Sequence, residues 1–217
     1  TNISHMFEHC EMITDTGLTT AFTKWDTTKV VNASYMFADC YALESVSMPD
    51  LKLYNCNKNY MYANCTGLLN YACNGGVFQG GTAAYMFTNC PRLLVWNGDG
   101  MTISDANLAN MFNGTNATFI WQGNGLTFTN NNTDSMFANC GGAVTASFNG
   151  ITASGSLYRM FYNANGLTTF VANGAMNTSG VTSLQGMFRS SGLISADFSA
   201  FDATGVTTTY AMFYDCD

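Results

Sequence analysis

The chain has 217 residues, of which 47% are hydrophobic and only 10% are charged, and its formal net charge is −7. Its four lysines all precede residue 59, so it lacks the clustered Lys and Arg that follow nucleic-acid phosphates, and we expect no nucleic-acid partner. No window approaches the roughly 18 to 20 continuous apolar residues of a membrane span. Asn, Thr, Ser and Gly replace charge around the apolar positions, which suits an exported protein.

One short motif, a methionine followed by an aromatic residue, recurs along the whole chain. The motif occurs at Met6, Met36, Met61, Met86, Met111, Met136, Met160, Met187 and Met212. The period of about 25 residues is typical of a solenoid, whose units bury their apolar faces only by stacking. We therefore predict one repeat solenoid domain over residues 1–217. Because no polar capping repeat flanks the motifs, we expect a segment of a longer chain.

An apolar residue about seven positions after each methionine predicts the start of a short strand. The predicted strand segments are 18–23, 43–48, 68–73, 93–98, 118–121, 143–148, 167–172 and 193–198. A turn rich in Gly, Asn, Asp and Thr follows each segment, and a helical turn carries the next methionine. This pattern predicts an α/β repeat solenoid resembling a leucine-rich-repeat stack. It would have about eight to nine coils, a parallel β-sheet on one face and short helical or 3-10 turns on the other.

The best-preserved repeats lie at 25–43, 177–188 and 201–213, and they read WDTTKVVNASYMFADCYAL, NTSGVTSLQGMF and FDATGVTTTYAMF. They resemble the BspA-like leucine-rich repeat of bacterial surface proteins, with its F-D-T-S-x-V-T-x-M-S-x-M-F-x-x-C pattern. The units at Met111 and Met136 have drifted from it. The resemblance implies a surface-displayed solenoid used for adhesion, with no catalytic residues to transfer.

Six of the eight cysteines share one repeat position, four residues after the methionine: Cys10, Cys40, Cys65, Cys90, Cys140 and Cys216. In a stacked solenoid these residues form a column whose spacing would also permit disulfides between neighbouring coils. Thr115, Ala164 and Ser191 fill the same position elsewhere, which favours a small buried site holding reduced thiols. Cys56 and Cys73 fall outside the column and have no assigned role.

Metal binding and catalysis find little support in the residue pattern. His5, His9 and Cys10 are close in sequence, but no acidic or Cys ligand stands at a recognised spacing from them. Both histidines lie at the N-terminal end, so no Ser-His-Asp or Cys-His arrangement can be proposed. We expect neither a cofactor nor a metal, and we expect that the chain is not an enzyme.

The recurring aromatic residues are interpreted mainly as core. A Met-aromatic pair repeated once per coil is typical of a buried stripe, and Trp96 and Trp121 occupy an inward strand position. The tyrosines directly before methionine leave two alternatives open, because a column of exposed rings binds sugars or another subunit whereas buried rings complete the turn wall. These tyrosines are Tyr35, Tyr60 and Tyr85, and a similar tyrosine returns at Tyr210, two residues before Met212.

Alternation along each predicted strand turns a nearly uncharged set of side chains outward. We predict a ligand-binding face around the middle of the sheet, formed by Val95, Asn97, Ile120, Gln122, Thr145 and Ser147. Hydroxyl, amide and apolar groups together suit a neutral glycan or a flat protein surface. The alternative is that these residues only solvate a parallel sheet.

From these features we expect a non-enzymatic adhesion or recognition module, displayed outside the cell on a cell surface or a virion, that binds a cell-surface glycan or protein. The alternative is a structural subunit of an extracellular filament or a virion, such as a phage tail fibre or spike. Low charge and the lack of capping repeats favour that alternative, in which copies contact one another through the solenoid ends.

Overall fold

The computed structural model describes residues 1–14, 24–115, 120–122, 127–129, 131–141, 146–147, 152–171 and 177–216. Within these ranges its regular elements are thirteen short strands and one 3-10 helix, Thr27–Lys29, which Asp26 caps by accepting a hydrogen bond from the Thr28 amide. The strands are β1 Ser45–Ser47, β2 Lys52–Tyr54, β3 Asn70–Ala72, β4 Val77–Gln79, β5 Val95–Asn97, β6 Thr102–Ser104, β7 Ile120–Gln122, β8 Thr127–Thr129, β9 Ala146–Ser147, β10 Thr152–Ser156, β11 Thr169–Val171, β12 Asn177–Ser183 and β13 Ser195–Asp197.

Each sheet joins equivalent strands of successive repeats, and every pairing is parallel. The first sheet has the order β1-β3-β5-β7, and the second has the order β2-β4-β6-β8. Two smaller sheets, β13-β11-β9 and β10-β12, hold the later strands. Partners such as Val46, Tyr71 and Trp96 are directly in register one repeat apart. Together the sheets define a parallel β-solenoid of about five turns with almost no helix.

The Met-aromatic motif lies on a side of each coil outside the sheets, which we call the turn wall. The turn wall is built from tight turns, not from the helical turns predicted. Alternate amides bond to the next coil, as the Phe37 amide does to the Met61 carbonyl. The intervening amides bond three residues back, as Met36 does to Ala33. Half of the donors that a helix needs are therefore used between coils. Among the described residues no helix is long and apolar enough to cross a membrane.

The predicted number of coils and the predicted number of sheets were also wrong. Counting motifs suggested eight to nine coils, whereas the solenoid has about five turns. One continuous ladder of bridges along the turn wall runs through Asn2, Asn32, Asn57, Thr82, Asn107 and Asn132. Six repeats of the described part also contain a second strand, such as β2 or β4, where the sequence suggested only a turn. Alternating segments as short as Lys52–Tyr54 become strands because neighbouring coils supply their hydrogen-bond partners.

The core is a set of columns that run along the solenoid, as predicted for the Met-aromatic pairs. Phe37, Tyr62, Phe87, Phe112 and Phe137 are stacked one on the next, with ring centroids 5.2 to 5.4 Å apart. The predicted burial of Trp96 is confirmed, since its side chain is completely buried. The side chain of Trp121 lies outside the described part. Stacking of identical positions explains how thin coils exclude water from a continuous core.

The cysteine column consists of free thiols, and its five members after Cys10 donate to backbone carbonyls and not to one another. The buried thiols donate to the carbonyl of the motif aromatic one coil earlier, as Cys65 does to Phe37 and Cys90 to Tyr62, both at 3.1 Å. Burial raises the pKa of Cys90 to about 12 and that of Cys40 to about 11, which keeps both thiols protonated and unreactive. Cys10 is exposed, and the unassigned Cys56 and Cys73 are buried.

Two positions of every turn have left-handed backbone, a conformation that favours glycine. They are the residue before the methionine and the third residue after it, as in Tyr35 with φ 56° and Asp39 with φ 61°. Glycine occupies the first of these positions only at Gly186, with φ 61°. The next coil has Ala211 there, with φ 54°, and its Cβ carries the full steric cost without a polar side chain to offset it.

We predict that Ala211→Gly stabilises the protein by about 1 kcal/mol and that Gly186→Ala destabilises it by a similar amount. A Cβ at residue 186 would lie 3.4 Å from the Arg159 Cγ, so the cost comes from the backbone conformation and not from a clash. Urea denaturation followed by circular dichroism measures both changes. If both substitutions changed the free energy of unfolding equally and in the same direction, a Cβ at this left-handed position would not carry the cost that we assign to it.

Candidate functional site

Two straight rows of residues run across the strands of the first sheet, and the described side chains in them, on β1, β3 and β5, are exposed or partly exposed. Parallel pairing aligns Ser45, Asn70, Val95 and Ile120 in one row. The second row contains Ser47, Ala72, Asn97 and Gln122. Neither row contains a charged residue. A face of hydroxyl, amide and small apolar groups offers hydrogen bonds and contact area without selecting for a charged ligand.

The structure brings four of the six predicted ligand-binding residues together. Val95 and Asn97, both partly exposed, lie in β5 next to Ile120 and Gln122 of β7, whose side chains are outside the described part. Ser147 lies in β9, which contacts β7 but pairs with β11 in a separate sheet, and Thr145 lies outside the described residues. The candidate face is therefore centred on β5 and β7.

A local hydrogen bond holds the Asn97 side chain in place. Its Oδ1 accepts a hydrogen bond from the Asp99 amide at 2.9 Å, which forms an Asx turn at the end of β5. Asp197 makes the same bond with the Ser199 amide at 2.8 Å, and this bond lowers the pKa of Asp197. Residues held in this way lose little conformational freedom when a ligand binds.

The tyrosine column is half-buried, which lies between the two predicted alternatives. Tyr35, Tyr60 and Tyr85 stack with centroid distances of 4.9 and 5.0 Å, and His5 stacks on Tyr35 at 5.1 Å. Both faces of Tyr60 are thus covered by its neighbours. A sugar ring cannot stack on these covered faces, so only ring edges and hydroxyls of the inner tyrosines offer contacts. Tyr210 is 72% exposed.

A ladder of amide side chains runs beside the tyrosines at the third position after the methionine. Asn89 donates to Asn64, and Asn64 donates to Asp39, both through Nδ2 at 2.9 Å. Asn163 continues the same pattern with Asn139 at 2.8 Å. At this left-handed position the side-chain amide or carboxylate bonds to the equivalent side chain of the neighbouring coil. The ladder thus explains why Asn and Asp recur there.

The sequence did not reveal a cleft of about 470 Å³ between neighbouring coils, lined by Asn131, Asn132, Asp134, Ser154, Gly155 and Ser156. It lies between the 131–134 segment and β10. The only sequence signal for it is the interval from Met136 to Met160, which is shorter than the usual repeat.

The cleft is polar, and most of its groups have intramolecular partners. Asn131 accepts from the Ala106 amide at 3.0 Å and donates to the Ile103 carbonyl at 2.9 Å. The Oδ1 atom of Asp134 is buried without a hydrogen-bond partner. Desolvation raises the pKa of Asp134, and a hydrogen bond from Ser156 partly opposes that rise. The cleft is thus a second place where hydroxyl donors of a ligand fit.

The structure also groups residues near the histidines in a way that the sequence did not predict. Donor atoms of Glu8, His9 and Asp39 lie within 4.8 Å of one another, whereas the exposed Cys10 is not part of this group. Spacing along the chain could not reveal the group because Asp39 belongs to the next coil. Lys58 is fully buried, so its ammonium group cannot contact a ligand at any of these candidate sites.

These features define the class of protein: a parallel β-solenoid of stacked repeats with an uncharged sheet face. The chain matches the family described as Mycoplasma protein of unknown function, DUF285, over residues 1–95 and 131–217. It therefore belongs to that family. The unmatched segment, 96–130, contains the drifted unit at Met111. Comparisons with curated proteins and with solved structures found no match.

Proposed function

We propose that the chain is a non-enzymatic recognition module, displayed on a cell surface or a virion, that binds a cell-surface glycan or protein through the first sheet. The observation that carries this proposal is the pair of uncharged rows aligned across β1, β3, β5 and β7. A flat surface with fixed hydrogen-bonding groups suits a ligand that presents many neutral hydroxyls or amides. The resemblance of the repeats to BspA-like leucine-rich repeats supports the same function.

The proposal predicts that negative charge on this face abolishes binding. In a Val95→Glu, Asn97→Asp double variant, two carboxylates would have to be desolvated by a neutral ligand, so we expect at least a tenfold loss of affinity. Binding is measured on an array of neutral oligosaccharides and cell-surface glycoproteins. The matched control is Val77→Glu with Gln79→Glu in β4, which places similar charges on the second sheet.

Two results would overturn the proposed site. One is retention of full binding by the β5 double variant, and the other is an equal loss in the β4 control. Circular dichroism must show that both variants remain folded. If the purified protein binds nothing on the array and forms filaments in negative-stain micrographs, the structural-subunit alternative replaces the recognition function.

A further inference from the structure

Two neighbouring columns of the turn wall bring metal-binding donors together at the first described coil. His5 precedes Met6 and stacks on Tyr35, while His9 takes the third position after Met6 and lies beside Asp39 of the next coil. Glu8 lies between the two histidines in sequence. The solenoid register therefore brings residues of two successive repeats into one cluster, with one donor atom each from Glu8, His9 and Asp39 within 4.8 Å.

The distances within this cluster suit a shared ion better than a direct contact. His9 Nδ1 lies 3.8 Å from Asp39 Oδ2, which is too long for a hydrogen bond. Two ligands that bind one zinc ion, each at about 2.0–2.2 Å, are typically about 3–4 Å apart. The His9 side chain is 67% exposed, so it has room to rotate toward an ion placed between these atoms.

Both carboxylates are oriented by neighbouring side chains. Glu8 Oε2 lies 2.6 Å from His5 Nδ1, and the His5 ring is in turn held against Tyr35. Asp39 Oδ1 accepts from Asn64 Nδ2 at 2.9 Å and from the Tyr41 hydroxyl at 3.3 Å. Metal-binding groups are commonly held by such outer contacts, which lower the cost of ordering them.

We propose that Glu8, His9 and Asp39 form a binding site for a divalent transition-metal ion, with zinc as the expected ion. An imidazole with two carboxylates is a donor set of intermediate hardness, which suits zinc. Ca²⁺ and Mg²⁺ prefer oxygen ligands alone. Three protein donors leave a fourth tetrahedral position open to water or to a group on a ligand. The site is independent of the proposed sheet-face function.

Isothermal titration of untagged, chelator-treated protein with ZnCl₂ tests the site. We expect saturable binding of one zinc ion per chain with a micromolar Kd, and a loss of at least tenfold in affinity for both His9→Gln and Asp39→Asn. The matched control is Asp215→Asn, because Asp215 is exposed and takes the same left-handed turn position in the last described coil. Its affinity should equal that of the unaltered protein.

Three results would overturn the site: no saturable zinc binding, zinc binding by Asp39→Asn equal to that of the unaltered protein, or CaCl₂ binding as tight as zinc binding. Circular dichroism of both variants checks that a lost site is not a lost fold. A zinc-induced rise in Tm that is present in the Asp215→Asn control and absent in the His9→Gln variant would give independent support.

Discussion

Replacing Lys58 with methionine should stabilise the protein by about 2–3 kcal/mol at pH 7. The Lys58 side chain is fully buried, with its ammonium 2.9 Å from the Cys56 carbonyl and 5.3 Å from the centre of the Phe78 ring. Desolvation lowers its pKa from 10.5 to about 8, and the nearby Cys56 only partly opposes this. A charge held in this place therefore costs folding free energy at neutral pH.

The repeat itself indicates that an apolar side chain fits this position. The equivalent residues of other coils, three before the motif methionine, include Ala33, Ala83, Leu108, Leu157 and Leu184, all of them buried. Methionine nearly matches the length of the lysine stem, so it leaves little empty space. The Cys56 carbonyl keeps the Thr82 amide as a donor at 3.2 Å, so the substitution leaves no orphaned acceptor.

The difference between the two proteins should depend on pH with a defined sign. Between about pH 8 and 10.5 the unfolded chain binds a proton at Lys58 that the folded chain has released, so deprotonation increasingly favours folding. The advantage of the methionine variant should be largest below pH 8 and should disappear near pH 10.5. Urea denaturation at several pH values measures the difference in unfolding free energy between the two proteins. Taking this difference cancels the contributions of the other titrating groups.

Exposed Lys52 in β2 provides the control, because Lys52→Met removes the same charge from a solvated site. It should change stability by less than about 0.5 kcal/mol at every pH. If Lys58→Met destabilised the protein throughout the pH range, the buried ammonium would be a net stabilising group, and our account of Lys58 would be wrong.

Removing one ring from the middle of the aromatic stack should have the largest destabilising effect. Phe87 lies between Tyr62 and Phe112, at 5.3 Å from each, and meets the edge of Tyr71 at 4.8 Å. We expect Phe87→Ala to cost about 3–5 kcal/mol, through lost apolar burial and the cavity that remains. Because coils contact only their neighbours, the loss weakens two coil interfaces at once, which denaturant unfolding would detect.

The control for this prediction lies in the same column. Phe213 is 48% exposed and stacks on Phe188 at 5.6 Å, at the end of the described stack. Phe213→Ala should therefore cost less than half as much as Phe87→Ala, since half of the ring already contacts water. Equal losses at the two positions would mean that stacking along the column contributes little to stability.

Much of the architecture could be predicted from the sequence because the repeat imposes it. A period of about 25 residues places Met36, Phe37 and Cys40 above their equivalents in the next coil, and any stacked arrangement of coils buries them. The inward position of Trp96 and the outward positions of Val95 and Asn97 in β5 follow from simple alternation along a strand. Local chemistry and period were enough for these features.

The turn wall and the second sheet could not be predicted because their hydrogen bonds form between coils. The segment Tyr35 to Cys40 resembles a helical turn in composition, but alternate amides find their acceptors in the next coil. Likewise, Lys52–Tyr54 is too short to be recognised as a strand alone and becomes one only when β4 pairs with it.

The residue pattern along the chain therefore established the period, the core columns and the uncharged sheet face, since each depends on spacing within one repeat. The placement of His9 beside Asp39, the cleft at Asp134 and the burial of Lys58 depend on contacts between coils. Such contacts are set by the register of stacking, and a shift of one residue would separate these groups while leaving the periodicity unchanged.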